Sequence, residues 1–257
     1  MPDRSSVHAV IEPSVGRELP RILVIEHEAD AHLDGFAPLL DAVAEVLVLR
    51  PETNGDPLPD RMAGFDGLLV LGGRMGPGDD ADAGWLPATR DLITECVSSG
   101  VPYLGVCLGS QLLTHAAGGR VEQMAGGPEI GVGRIRHTDA AALDPVFAGV
   151  TAEPVVMQWH WLESSALPAG SVLLAENDHC AHQAFRVGER AWGVQFHPEA
   201  FASTGAGWVG TEVAQLRELG LSPAGVLSEI QAERPALQTY GEQLASGWLR
   251  VVHARRG

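Results

Sequence analysis

Cys107 lies in "YLGVCLGSQLL", Tyr103–Leu113, with a glycine two residues to either side. An apolar run enters the cysteine and a helical pattern leaves it. A residue on so tight a strand-to-helix turn projects from the carboxyl end of a parallel sheet, and small neighbours let the backbone crowd around it. The helix starting near Gly109 would aim its free N–H groups at the sulfur and favour thiolate over thiol. A buried, inert cysteine is the competing reading, a common fate of this residue type. Taken alone, Gly-x-Cys-x-Gly leaves the two evenly matched.

A thiol nucleophile needs a base. Downstream, "VQFHPE" supplies His197, Pro198 and Glu199. Proline pushes the residue before it into an extended conformation, and on an extended segment residues two apart project to the same side. His197 and Glu199 can therefore point together, the carboxylate orienting the imidazole and stabilising its cation. That would complete a Cys–His–Glu relay. A lone His-Pro-Glu reads as a surface turn; the joint pattern is much harder to read that way. In "LVLGGRMG", Gly72 and Gly73 end an apolar run one unit before the cysteine turn. A backbone N–H at Gly73, with that of Leu108, could hold an oxyanion, each donor contributing roughly 3 kcal/mol in the transition state.

These residues need a scaffold that brings distant segments to one edge. "RILVIEH", "AEVLVLR", "FDGLLVLGG" and "VPYLGVC" read as four buried strands. Between the last two, Leu86, Ile93, Cys96 and Val97 are spaced for one helix face, so Cys96 reads as core. Strand, helix and strand joined by short turns imply parallel strands with right-handed crossovers. Further strands are expected in "EIGVGRIRHT", "PVVMQWH" and "SVLLAEN", and "AHQAFRV" and "AWGVQFH" flank "GER" as a hairpin. After Pro198 the pattern turns helical. Ser222-Pro223 is a helix start, and Leu237, Tyr240, Leu244, Trp248 and Val251 form an apolar stripe.

The 257 residues suit one large α/β domain with an extension. We expect a tail over residues 1–20, a catalytic domain over 21–204 and a helical extension over 205–257 packed on the same domain. The polar N-terminal stretch lacks the apolar core of a secretory signal. No apolar run reaches membrane-spanning length. Three cysteines without CxxC pairing argue against a disulfide framework and fit a reducing cytoplasm. The net charge of −16 argues against nucleic acid as a partner. All seventeen basic residues are arginine, which excludes a lysine Schiff base or a complete P-loop here. "HCAH", His179–His182, reads as a loop rather than a metal site. His27 is either a rim contact or a turn residue. Nothing calls for a metal or a cofactor.

Taken in order, "LVLGG", "GVCLGSQLL" and "VQFHPE" resemble the class I, triad-type glutamine amidotransferases. "GGPEIG", "MQWH" and "HQAFRVGERAWGVQFHPE" resemble stand-alone members similar to the glutaminase part of GMP synthase. The resemblance runs from about Ile22 to the C-terminus. It implies a flavodoxin-like α/β fold: a doubly wound, mainly parallel sheet with helices on both faces. It also implies hydrolysis of the glutamine side-chain amide through a γ-glutamyl thioester on Cys107, with His197 and Glu199 assisting. By the family pattern, Gln111 and the backbone of Glu129, Ile130 and Gly131 would hold the amino-acid end of the substrate, with His160 near it. No synthetase module is visible, so the resemblance implies a separate acceptor subunit. Two departures stand out: Arg74 replaces the proline common after the glycine pair, and His160-Trp161-Leu162 replaces His-Gly-Asp. A γ-glutamyl peptide or amide hydrolase using the same three residues is the alternative, and a non-enzymatic regulator is a third. An α/β-hydrolase would place its acid before the histidine, not two residues after it.

Overall fold

The computed structural model describes residues 18–255. The tail expected over 1–20 lies, apart from its last three residues, outside them. An eight-stranded sheet runs in the order β2-β1-β3-β4-β12-β11-β10-β7. Its parallel part comprises β1 (Arg21–Ile25), β2 (Glu45–Leu49), β3 (Gly67–Val70), β4 (Tyr103–Val106) and β12 (Ala191–Val194). Antiparallel strands β11 (Ala184–Val187), β10 (Val172–Glu176) and β7 (Arg136–His137) complete it. Strands β3, β4 and β12 are buried at every residue, as continuous apolar runs covered on both faces must be. Two antiparallel pairs stand apart: β5 (Arg120–Gln123) with β9 (Leu162–Ala166), and β6 (Glu129–Arg134) with β8 (Val155–His160).

Alternate residues of each central strand feed opposite cores. Ile22, Val24, Leu104 and Val106 face one side, with α1 (Ala37–Asp41) and α7 (Pro223–Arg255). Leu23, Ile25, Leu68 and Tyr103 face the other, with α3 (Leu86–Ser99) and α4 (Leu108–Ala116). Cys96 lies in this second core, 1% exposed. Short α2 (Pro51–Asn54) follows β2. A third cluster joins β8 to α5 (Ala202–Thr211), α6 (Val213–Glu218) and α7 through Trp159, Trp208, Leu216, Ile230 and Leu237.

Helix α7 starts at Pro223, with Ser222 Oγ accepting the Gly225 N–H at 3.3 Å. Its buried stripe runs Leu237, Tyr240, Leu244, Trp248 and Val252; the expected Val251 is only half-buried. The step of four from Trp248 keeps to the helical face better than a step of three would here. Glycine lets this helix approach closely: a Cβ at Gly241 would stand 2.1 Å from the Pro198 carbonyl oxygen.

Candidate active site

Neighbouring strands explain how residues far apart in sequence meet. Strand β4 ends at Val106, opposite Val194 of β12, and the Cys107 N–H donates to the Val194 carbonyl at 2.8 Å. The chain beyond β12 therefore passes Cys107 on its way to His197. Strand β3 lies on the other side of β4, so Gly72 and Gly73 arrive beside the same turn. A Cβ at Gly72 would stand 2.9 Å from His197 Cε1 and 3.6 Å from Cys107 Cβ.

Cys107 adopts φ +51° and ψ −105°, a conformation that side-chain-bearing residues rarely adopt. The flanking glycines make this turn possible. A Cβ at Gly105 would lie 2.5 Å from the Gly109 backbone, and one at Gly109 would lie 2.2 Å from the Val70 carbonyl oxygen. The Tyr103 hydroxyl donates to the Gly109 carbonyl at 2.7 Å and ties the turn to its own strand. Leu108 opens α4, so its N–H lacks an intrahelical acceptor, as do those of all first-turn residues.

His197 Nδ1 meets Glu199 Oε1 at 2.8 Å, with both side chains buried. Burial by itself pulls the His197 pKa down, but the Glu199 carboxylate and the Cys107 sulfur outweigh it and raise it to about 10. The Trp208 ring abuts the imidazole edge-on, with centroids 4.8 Å apart. The other two thiols are placed differently. Burial pushes both Cys96 and Cys180 up to about 12.

A cleft of about 260 Å³ opens over Cys107 and His197. Gly73, Gln111 and His160 line it, but Glu129, Ile130 and Gly131 do not. Glu129 instead accepts from Asn177 at 2.7 Å and Gln183 at 2.6 Å, and lies 3.1 Å from His160 Nε2. Burial would raise its pKa; these contacts, His160 foremost, hold it below the ordinary value. Ile130 packs against the third core cluster, and Gly131 has φ +91°. His160 Nδ1 donates to the Leu162 carbonyl at 3.0 Å.

The sequence reading missed part of the cleft wall. Glu28 and Asp30 come from the loop after β1, and Trp208, Glu212 and Gln215 from α5 and its continuation. Spacing of four and seven from Trp208 would have put the last three on one helical face. Trp159 donates to Glu212 at 2.9 Å and Trp208 to the Asp30 carbonyl at 2.9 Å. Arg74 sits among carboxylates, 2.8 Å from Asp30 and 3.7 Å from Glu212. His27 is neither a rim contact nor a surface turn residue: it is fully buried beneath Gly73 and accepts the Trp85 indole N–H at 2.9 Å. Desolvation lowers its pKa to about 3. In the 179–182 loop, His179 and His182 turn to the carbonyls of Gly127 and Ser164. Among the described residues, no three such side chains cluster to hold a metal.

The family model for class-I glutamine amidotransferases matches residues 39–209. The GMP synthase [glutamine-hydrolyzing] of Porphyromonas gingivalis is 32% identical over 147 residues, covering 57% of this chain and 27% of that protein. That of Bacteroides fragilis (strain YCH46) is 39% identical over 103 residues, 40% of this chain and 20% of that one. The chain thus matches about a quarter of the length of these relatives. Among solved structures, a glutamine amidotransferase from Methylobacillus flagellatus is 28% identical, with a TM-score of 0.80 over 91% of this chain and 96% of that one. One from Thermotoga maritima, 24% identical, shares the fold with a TM-score of 0.81, covering 91% and 99%.

Proposed function

The chain belongs to the class-I glutamine amidotransferase family, and from that premise we propose that it releases ammonia from the side-chain amide of glutamine through a thioester on Cys107. The observation that carries this reading is the meeting of a cysteine on a strained turn with a buried His197–Glu199 pair at one cleft. The Cys107 sulfur attacks the amide carbon and the carbonyl π electrons move onto oxygen. The N–H groups of Gly73 and Leu108 hold that oxygen. His197, kept protonated by Glu199 and the sulfur, gives its proton to the amide nitrogen. The C–N bond then breaks and ammonia leaves. Water attacks the thioester, passing its proton to His197. The C–S bond breaks, returning the sulfur with its electron pair and releasing glutamate. Gln111 and His160, which line the cleft, hold the amino-acid end. The ammonia goes to an acceptor enzyme, a synthetase by the likeness to glutamine-hydrolysing GMP synthases.

A second reading is a hydrolase of γ-glutamyl amides or peptides by the same steps. Trp159, Trp161, Leu162 and Trp208 line the cleft and favour it. They offer apolar area that a bulkier leaving group could bury, at about 25 cal/mol per Å². A glutamine-mimicking diazo-ketone should label Cys107, because it lines the cleft while the other two thiols do not and have pKa values raised by burial. A label on Cys96 or Cys180 with Cys107 free overturns the assignment. Comparing kcat/KM for glutamine with a panel of γ-glutamyl peptides and amines, with and without a co-purified partner, separates the two readings. Glutamine alone, accelerated at least about tenfold by a partner, is the outcome expected. Peptides preferred without any partner would replace it with the second reading.

A further inference from the structure

We propose that Gln195 is a positioning residue for the nucleophile, its side-chain amide holding the Cys107 sulfur while Gln111 and the Leu162 carbonyl aim that amide. The inference rests on Cys107 being the nucleophile. Gln195 is fully buried and follows β12, whose pairing with β4 sets it beside the cysteine turn. Its Nε2 donates to Cys107 Sγ at 3.7 Å.

A primary amide can present either nitrogen or oxygen to a neighbour, so something must choose. Here the choice is made two links away. The Leu162 carbonyl can only accept, and Gln111 Nε2 lies 3.3 Å from it. Gln111 therefore turns its nitrogen that way. The same nitrogen lies 3.3 Å from Gln195 Oε1. Gln195 accordingly gives its oxygen to Gln111 and its nitrogen to the sulfur. His160 Nδ1 donates to the same Leu162 carbonyl and holds the far end of the chain. Links from β8, β9, α4 and the segment after β12 thus converge on one sulfur.

The sulfur bears negative charge before it attacks and again when the thioester breaks. An N–H directed at it favours the charged form at both moments. The amide exchanges no proton, so it does not compete with His197. Gln111 lines the cleft, so a substrate contact on Gln111 bears on the sulfur through Gln195.

The test is the pH profile of Cys107 alkylation by chloroacetamide, read by mass spectrometry on the full chain. Gln195→Met removes the donor at similar volume, and Gln195→Glu replaces it with an acceptor. The expected result is a profile moved to higher pH by about one unit in Gln195→Met and further in Gln195→Glu. For glutamine, kcat should fall about tenfold with KM near the wild-type value. A residue that only fills the core would change thermal stability without moving the profile, and an unmoved profile overturns the inference. Should the Gln195 variants fail to fold, Gln111→Leu leaves Gln195 in place but frees its amide to turn; a shift in the same direction supports the contact and an unmoved profile overturns it. Wild-type Cys107 that resists the reagent overturns the nucleophile assignment and this inference with it.

Discussion

At the scale of the residue, the Glu199 carboxylate decides how long His197 keeps its proton. It lies 2.8 Å from Nδ1, and with the sulfur it more than offsets the desolvation of a buried ring. Glu199→Gln keeps the shape but removes the charge. We expect kcat to fall by about 10²–10⁴-fold with KM little changed, because an orienting carboxylate acts mainly in the transition state. The sign of the pH effect also follows. A carboxylate retains a proton on His197 up to about 10, so without it the alkaline limb of kcat/KM moves to lower pH. Wild-type turnover with an unmoved limb in this variant would remove Glu199 from the relay.

At the scale of the element, the long C-terminal helix braces the segment that carries these residues. Gly241 of α7 packs against the Pro198 carbonyl, between His197 and Glu199 in sequence, and a Cβ there would approach to 2.1 Å. Gly241→Ala therefore forces either the helix or the His-Pro-Glu segment to shift. Overpacking of this kind costs about 1–3 kcal/mol. We expect a lowered thermal midpoint together with lowered kcat, while Gly207→Ala in α5, where a Cβ meets nothing within 4 Å, leaves kcat unchanged. Equal effects of the two substitutions on kcat would show that α7 does not brace the site. Helix α5 contributes more directly, since its Trp208 forms one wall around His197.

At the scale of the whole molecule, acid stability is set partly by two desolvated imidazoles, His27 fully buried and His137 half-buried. Desolvation lowers His27 to about 3 and His137 to about 4, from an ordinary 6.5. In the unfolded chain both titrate near 6.5, so between there and about 3 the unfolded state binds more protons. Their contribution is therefore present above pH 6.5 and lost as pH falls through the folded values. Denaturant midpoints should fall from pH 6.5 toward 3, and His137→Phe should make that limb shallower. A limb as steep in the variant would assign the acid sensitivity to other groups. His137 also meets the Tyr240 hydroxyl at 2.8 Å, so the same variant tests how far α7 depends on that contact. Among the described residues, no helix is long and apolar enough to cross a membrane.

Much of this was determined by the sequence alone. Buried parallel strands announce themselves as short continuous apolar runs, and the four expected before Cys107 appear as β1 to β4, although β2, at the sheet edge, is half-buried to exposed rather than buried. Proline after His197 made the approach of Glu199 readable, because the constraint is local and covers three residues. The turn at Cys107 was readable because glycine flanks it on both sides, where a Cβ at Gly105 would meet the Gly109 backbone and one at Gly109 the Val70 carbonyl of β3. Where contacts come from afar, the sequence was silent. Strand β5 is largely exposed and β9 half-buried, and both are mainly polar, so no apolar alternation marked them, yet β9 supplies the Leu162 carbonyl. His27 read equally well as a rim or a turn residue, and only the packing of Gly73 and Trp85 over it put it inside. Resemblance assigned a role to the Glu129 backbone, but nothing local announced that its carboxylate turns to His160, Asn177 and Gln183. The direction of the Gln195 amide had no local cause at all. It follows from a carbonyl on another strand, two hydrogen bonds away, and only the tertiary structure brings that carbonyl into reach.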